Sequence, residues 1–172
     1  GQYVLALDIG EANGGLHVLP RPGASPASNT SSSDTADSAD EYYTRAFALE
    51  DTDPGGARAA YQACLEADPM HVEARINLGR LLHIGGRLDE AERIYRSANQ
   101  AEPLLVFNLA VLLEDLEREH DAILAYREAL ALDPQLADAH FNLARLYERA
   151  RDPKASLRHL LAYRRMIDRQ GA

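Results

Sequence analysis

The amino-acid sequence predicts an all-α solenoid of four helix-turn-helix repeats, preceded by a short β-hairpin-like segment and a flexible linker. Three observations predict it. The stretches 74–86, 106–118 and 140–152 each carry Asn-Leu, then a small residue (Gly79, Ala110, Ala144), then Leu82, Leu113 or Tyr147 three positions on. The first two are followed by a second apolar stretch with a small residue and an aromatic one turn later: Ala91 with Tyr95 and Ala122 with Tyr126, as in Ala57 with Tyr61 of a first, weaker copy. An acidic-Pro pair then closes the unit, at Asp68-Pro69, Glu102-Pro103 and Asp133-Pro134. Proline suits the first turn of a helix and disrupts its interior, so such pairs punctuate the chain.

The elements follow in order. In residues 2–19, Tyr3, Leu5, Leu7 and Ile9 alternate with other residues at the period of a strand. Asn13-Gly14-Gly15 signals a turn, and Leu16 to Leu19 reads as a returning strand. A lone hairpin is marginal in water and must dock on something, which offers a route to oligomers. Residues 20–38, rich in Pro, Ser, Ala, Asp and Thr, lack apolar periodicity and read as a flexible linker. From residue 39 the pattern predicts helices at roughly 39–51, 54–67, 71–84, 88–100, 103–116, 119–131, 137–149 and 153–168. The corresponding repeats are about 39–69, 70–103, 104–134 and 135–168.

Composition narrows the function. With 46% hydrophobic residues, 6% aromatic and no Trp, the core must be built from Leu, Ala, Ile and Val. A net charge of −9 disfavours contact with phosphate backbones or anionic membranes, so neither nucleic acid nor membrane is an expected partner. The single cysteine, Cys64, replaces a small core alanine and fits a reducing, cytoplasmic setting. The chain begins without Met or a signal-like segment, which reads as an internal point of a longer protein or a tag scar.

The repeat pattern of residues 39–168 resembles the tetratricopeptide repeat, on Gly79, Ala91, Tyr95, Ala98 and Pro103 and again on Ala110, Ala122, Tyr126, Ala129 and Pro134. The resemblance implies that helices A and B cross at the small residues, that the A helices line a concave groove, and that the groove binds a protein or peptide. A helix pair of this kind has an apolar face too large to bury alone, so neighbours must stack. The small residues at 46, 79, 110 and 144 are spaced by 33, 31 and 34 against a usual 34. The gap from Pro103 to Ala110 is 7, against 10 from Pro69 to Gly79, which predicts a third A helix shortened by almost one turn. The last B helix, with Ser156, Leu160 and Tyr163, departs from the small-aromatic-small series and reads as a polar cap carrying Lys154, Arg158, Arg164, Arg165 and Arg169. The string from Asp121 to Glu148, with the Ser156–Arg165 stretch, also resembles the repeat region of bacterial regulators with a MerR-type winged-helix domain. That second resemblance implies a sensing or assembly module of a transcription regulator.

Asn77, Asn108 and Asn142 share one position in successive A helices. In relatives of this kind, asparagines there hold peptide backbones or a terminal carboxylate. An amide offers both a donor and an acceptor, so a ladder of three would grip an extended peptide. The groove is expected to carry also Arg80, His83, Glu114, Asp115, Arg145, Glu148 and Arg149, with Arg80 and Arg145 one turn from an asparagine and Glu114 and Asp115 selecting a basic partner. No catalytic chemistry is expected. Gly14-Gly15 lacks the Lys-Ser/Thr of a phosphate loop, Ala6-Leu7-Asp8-Ile9-Gly10 reads as a plain strand, no Gly-x-Ser-x-Gly elbow occurs, and the six histidines form no i, i+4 pair. The sequence thus predicts a scaffold with no cofactor, no metal and no enzymatic activity.

Overall fold

The computed structural model describes residues 38–98 and 101–170 and places eight helices in them. The hairpin-like segment and all of the linker but Ser38 lie outside the described residues. The helices are α1 (Ala39–Leu49), α2 (Pro54–Ala67), α3 (Val72–Ile84), α4 (Leu88–Arg96), α5 (Pro103–Asp115), α6 (Glu119–Leu132), α7 (Ala137–Arg149) and α8 (Pro153–Gln170). Each odd helix packs on the even helix that follows, α3, α5 and α7 also pack on the one before, and α3 touches α5 directly. That is the nearest-neighbour order of a solenoid.

Local chemistry sets the boundaries. Ser38 and Glu41 form a reciprocal capping box on α1. Asp53 accepts from the Gly56 amide with Pro54 in the first turn of α2, and Asp152 accepts from the Ala155 amide ahead of α8. His71 caps α3 through Nδ1, 3.2 Å from the Ala74 amide nitrogen. The A helices α3, α5 and α7 end alike, on a left-handed residue at Gly86, Glu117 and Arg151. A six-to-one bond follows in each: Arg87 to the Leu82 carbonyl, Arg118 to Leu113 and Asp152 to Tyr147.

Small residues let each pair close. Ala46, Ala110 and Ala144 are buried, and a Cβ on Gly79 would stand 2.2 Å from Cε1 of Tyr95. Tyr61, Tyr95 and Tyr126 fill the A–B crossings and are fully enclosed. Cys64 is buried as expected, and desolvation pushes its thiol up to about 11.

The short third repeat is not where the sequence placed it. Helix α5 has 13 residues, as do α3 and α7, and each begins seven positions before its small residue. The loss falls on α4, which has 9 residues where α2 and α6 have 14. The turns before α3 and α7 share one design. Asp68 and Asp133 accept from the amides of Met70 and Gln135 at 2.9 and 2.8 Å, with Pro69 and Pro134 outside the helix. Pro103 is different in kind, since it is the first residue of α5 itself. Counting from prolines therefore misassigned the gap.

Candidate interaction surface on the A helices

The three asparagines are not exposed. Asn77, Asn108 and Asn142 are each 0% accessible, against the expected open ladder. They lie two residues before the small residue, about 200° around a helix from it, and that direction points at the preceding B helix. Asn142 Nδ2 donates to the Tyr126 hydroxyl at 2.9 Å. Asn77 Nδ2 lies 3.2 Å from the Tyr61 hydroxyl and 3.4 Å from that of Tyr43. Asn77 and Asn142 therefore staple one repeat to the next, and none of the three asparagines is open to a ligand in a groove.

Tyr61 and Tyr126 each donate in turn to a carboxylate. Tyr61 donates to Glu50 at 2.7 Å and Tyr126 to Glu114 at 2.8 Å. Burial first, and then the facing carboxylate, push both phenols well above their usual range. Each carboxylate also meets an arginine of the next A helix, Arg80 on Glu50 and Arg149 on Glu114. The relay is thus Asn to Tyr to Glu to Arg, across one repeat boundary. In the middle repeat the carboxylate's place, four residues after the small one, holds His83. There the Tyr95 hydroxyl and His83 Nδ1 are buried without a hydrogen-bond partner. His83 Nε2 turns instead to Asp115 of α5, at 2.7 Å.

At each junction between adjacent A helices a carboxylate meets a basic side chain: Glu50–Arg80, His83–Asp115 and Glu114–Arg149. Arg80 and His83, both 7% accessible, are committed to this lattice and are not open to a ligand as expected. Glu114 is also largely covered, while Asp115 and Arg149 keep solvent-facing edges. Arg145 is exposed, lies over the Phe141 ring at 5.9 Å and reaches Asn142 Oδ1 at 3.4 Å. Glu148 is exposed, and Ile84 presents 68% of its surface at the end of α3. Toward the C-terminal ends of α3, α5 and α7 the open surface thus includes Ile84, Asp115, Arg145, Glu148 and Arg149, an apolar spot among mixed charges.

Sequence reasoning expects His140 at a helix-helix seam but gives it no partner. His140 of α7 and His159 of α8 approach with their Nδ1 atoms 2.9 Å apart. The ring centroids are 5.1 Å apart, and Tyr147 stacks on His159. A spacing of 19 residues in sequence gives no signal of such a contact. No group of three or more metal-ligand side chains occurs among the described residues. No described helix is long and apolar enough to cross a membrane.

Comparison with known proteins agrees with this geometry. Residues 48–104 match the family profile described as Tetratricopeptide repeat, and residues 120–150 one described as TPR repeat. An alignment of 94 positions that covers 52% of the chain shows 32% identity to human protein O-mannosyl-transferase TMTC3. The match spans about 10% of that transferase. Among solved structures, MamA from Desulfovibrio magneticus RS-1 superposes with a TM-score of 0.67 at 20% identity, covering 78% of each chain. YrrB, described as a TPR protein with an unusual peptide-binding site, gives 0.63 at 20% identity over 74% of this chain and 68% of its own. PilF of Pseudomonas aeruginosa gives 0.71 at 18% identity over 75% and 61%. At these identities the likeness is one of fold.

Proposed function

We propose, for a chain that belongs to the tetratricopeptide repeat family, that it works as a protein-protein interaction scaffold holding a partner segment along the exposed edges of its A helices. The observation that carries the reading is the division of labour among the A-helix side chains. Asparagines, tyrosines and the carboxylates Glu50 and Glu114 are spent inside, locking the repeats, while Ile84, Arg145 and Glu148 stay outside on a rigid frame, beside the solvent-facing edges of the paired Asp115 and Arg149. A peptide laid across them meets one apolar contact and charges of both signs, the mixture that fixes register more than it adds raw affinity. The peptide-binding site named for YrrB supports the same class of ligand.

Photo-crosslinking tests the proposal. A crosslinkable residue at Asp115 or Arg145 is compared with one at Arg93 or Arg127, exposed positions on the B helices. Partner adducts are expected from the first two positions only. Adducts of equal yield from the B-helix positions refute the A-helix surface.

A further inference from the structure

We propose that the two ends of the array are complementary, so that copies of this chain stack head to tail, the α7–α8 end of one on the α1–α2 face of the next. The argument starts from what covers the same surface inside the array. The position just after the small residue of a B helix faces the following repeat. In α4 it is Glu92, which receives Arg118 at the start of α6 at 2.9 Å. In α8 that position is Leu157, and Leu161 follows one turn later. They are 54% and 47% exposed, where α4 has Glu92 and Arg96. A polar cap would present charge there, and this helix presents two leucines instead.

Beside them an open recess is lined by Glu148, Arg151, Ser156, Leu157 and Leu160. The surface that stacks on the next repeat is therefore uncovered among the described residues. At each internal junction of this chain the corresponding surface is covered by an A helix: α3 on α2, α5 on α4 and α7 on α6.

The opposite end presents what such a surface takes. A second recess opens on the outer side of α1 and α2, its floor made by Ala48, Leu49, Gly56, Ala59 and Ala63 and its rim by Tyr42, Arg45 and Asp53. Small side chains flanked by a Tyr and a Leu make a seat for protruding leucines. Charge favours the same pairing. Residues 39–53 hold five acids against Arg45 alone. Residues 151–169 hold six cations against Asp152 and Asp168. Two tails or two heads would repel, whereas a tail meets a head with attraction of a steering kind. The contact is heterologous, because different patches meet, and it propagates unless the rotation closes a ring.

The test is the mass of the full chain in solution by sedimentation velocity, over a concentration series at low and high salt. The expected result is a weight-average mass rising above 18.9 kDa with concentration and falling back with salt. Two variants then resolve the geometry, each first checked for native helicity by circular dichroism. Leu157→Glu with Leu161→Glu disables the tail, and Ala59→Arg with Ala63→Arg disables the head. Each alone is expected to stay monomeric, and their mixture to form a one-to-one dimer and nothing larger, because one live head then meets one live tail. A wild-type chain that stays at monomer mass at its highest soluble concentration overturns the proposal. So does a pure single-end variant that still self-associates, since that contact would need no partner end. Should either variant fail to fold, the wild-type concentration and salt series still decides.

Discussion

Replacing the three equivalent tyrosines by phenylalanine, one at a time, separates the relay from mere packing. All three rings are buried at the same A–B crossing, so the hydrophobic part of the change is shared. The hydroxyls differ. Tyr126 donates to Glu114 at 2.8 Å and accepts from Asn142 at 2.9 Å; Tyr61 does the same with Glu50 and Asn77. Removing either hydroxyl leaves a covered carboxylate and a buried amide each short of a partner. A hydrogen bond to a charged group contributes about 1.5–3 kcal/mol, so Tyr61→Phe and Tyr126→Phe should each cost about 2 kcal/mol. The Tyr95 hydroxyl is buried with no partner, so Tyr95→Phe removes a desolvated polar atom and loses nothing. Its expected effect is between zero and a gain of about 1 kcal/mol. Urea denaturation of the wild type and three variants gives the free energies directly, with unchanged slope as the check that the same transition is followed. Three equal losses would refute the relay and reduce the tyrosines to interchangeable filler.

Other contacts carry expectations of their own. Gly79→Ala gains helix propensity of about 1 kcal/mol yet drives a methyl into Tyr95, so net destabilisation of about 1–2 kcal/mol is expected, and a rise in melting temperature would show the crossing to be loose. Glu117→Gly and Arg151→Gly should each stabilise by about 0.5–1 kcal/mol, because both residues sit at a φ of 58°, where a side chain is strained; a loss on calorimetry counts against that strain. Asn142→Ala should cost about 1–3 kcal/mol in thermal melts by leaving the buried Tyr126 hydroxyl short of a donor, whereas an exposed groove amide would change almost nothing. Burial, then the charges of His140, Arg158 and Arg127, hold His159 at about 4, and burial lowers His140 too. An imidazole with a depressed folded-state value binds fewer protons than in the unfolded chain. Its stabilisation is whole above about pH 6.5 and declines as pH falls toward 4, by on the order of 2 kcal/mol after solvent screening. His159→Gln should flatten that decline in melting temperature against pH, and an unchanged slope would show the pair to be irrelevant to folding.

The helices were legible because their signals are local and redundant. Small residues, aromatic partners and proline punctuation recur in phase. The site was much less so. Asn77, Asn108 and Asn142 have the periodicity of a groove ladder, yet two residues of helical phase turn them into the seam. The signal that would have corrected this was present but uncounted. A tyrosine buried at a crossing needs a partner for its hydroxyl, and Glu50 and Glu114 recur four residues after the small residue to supply one. The misplaced deletion arose because Pro103 does the work of a first-turn proline, while Pro69 and Pro134 belong to turns. The His140–His159 contact was out of reach, since nothing in a spacing of 19 residues encodes that two rings meet across a helix pair.

The brevity of α4 sets where cooperativity is interrupted. In a one-dimensional array each unit is stabilised by its neighbours, and the coupling grows with the length over which helices touch. With 9 residues against 14 in its counterparts, α4 offers α5 the least shared length of any B helix. Opening should therefore begin at this joint, dividing the array into α1–α4 and α5–α8 as two exchange blocks. Native-state amide exchange would display them as two plateaus of protection separated at residues 97–102.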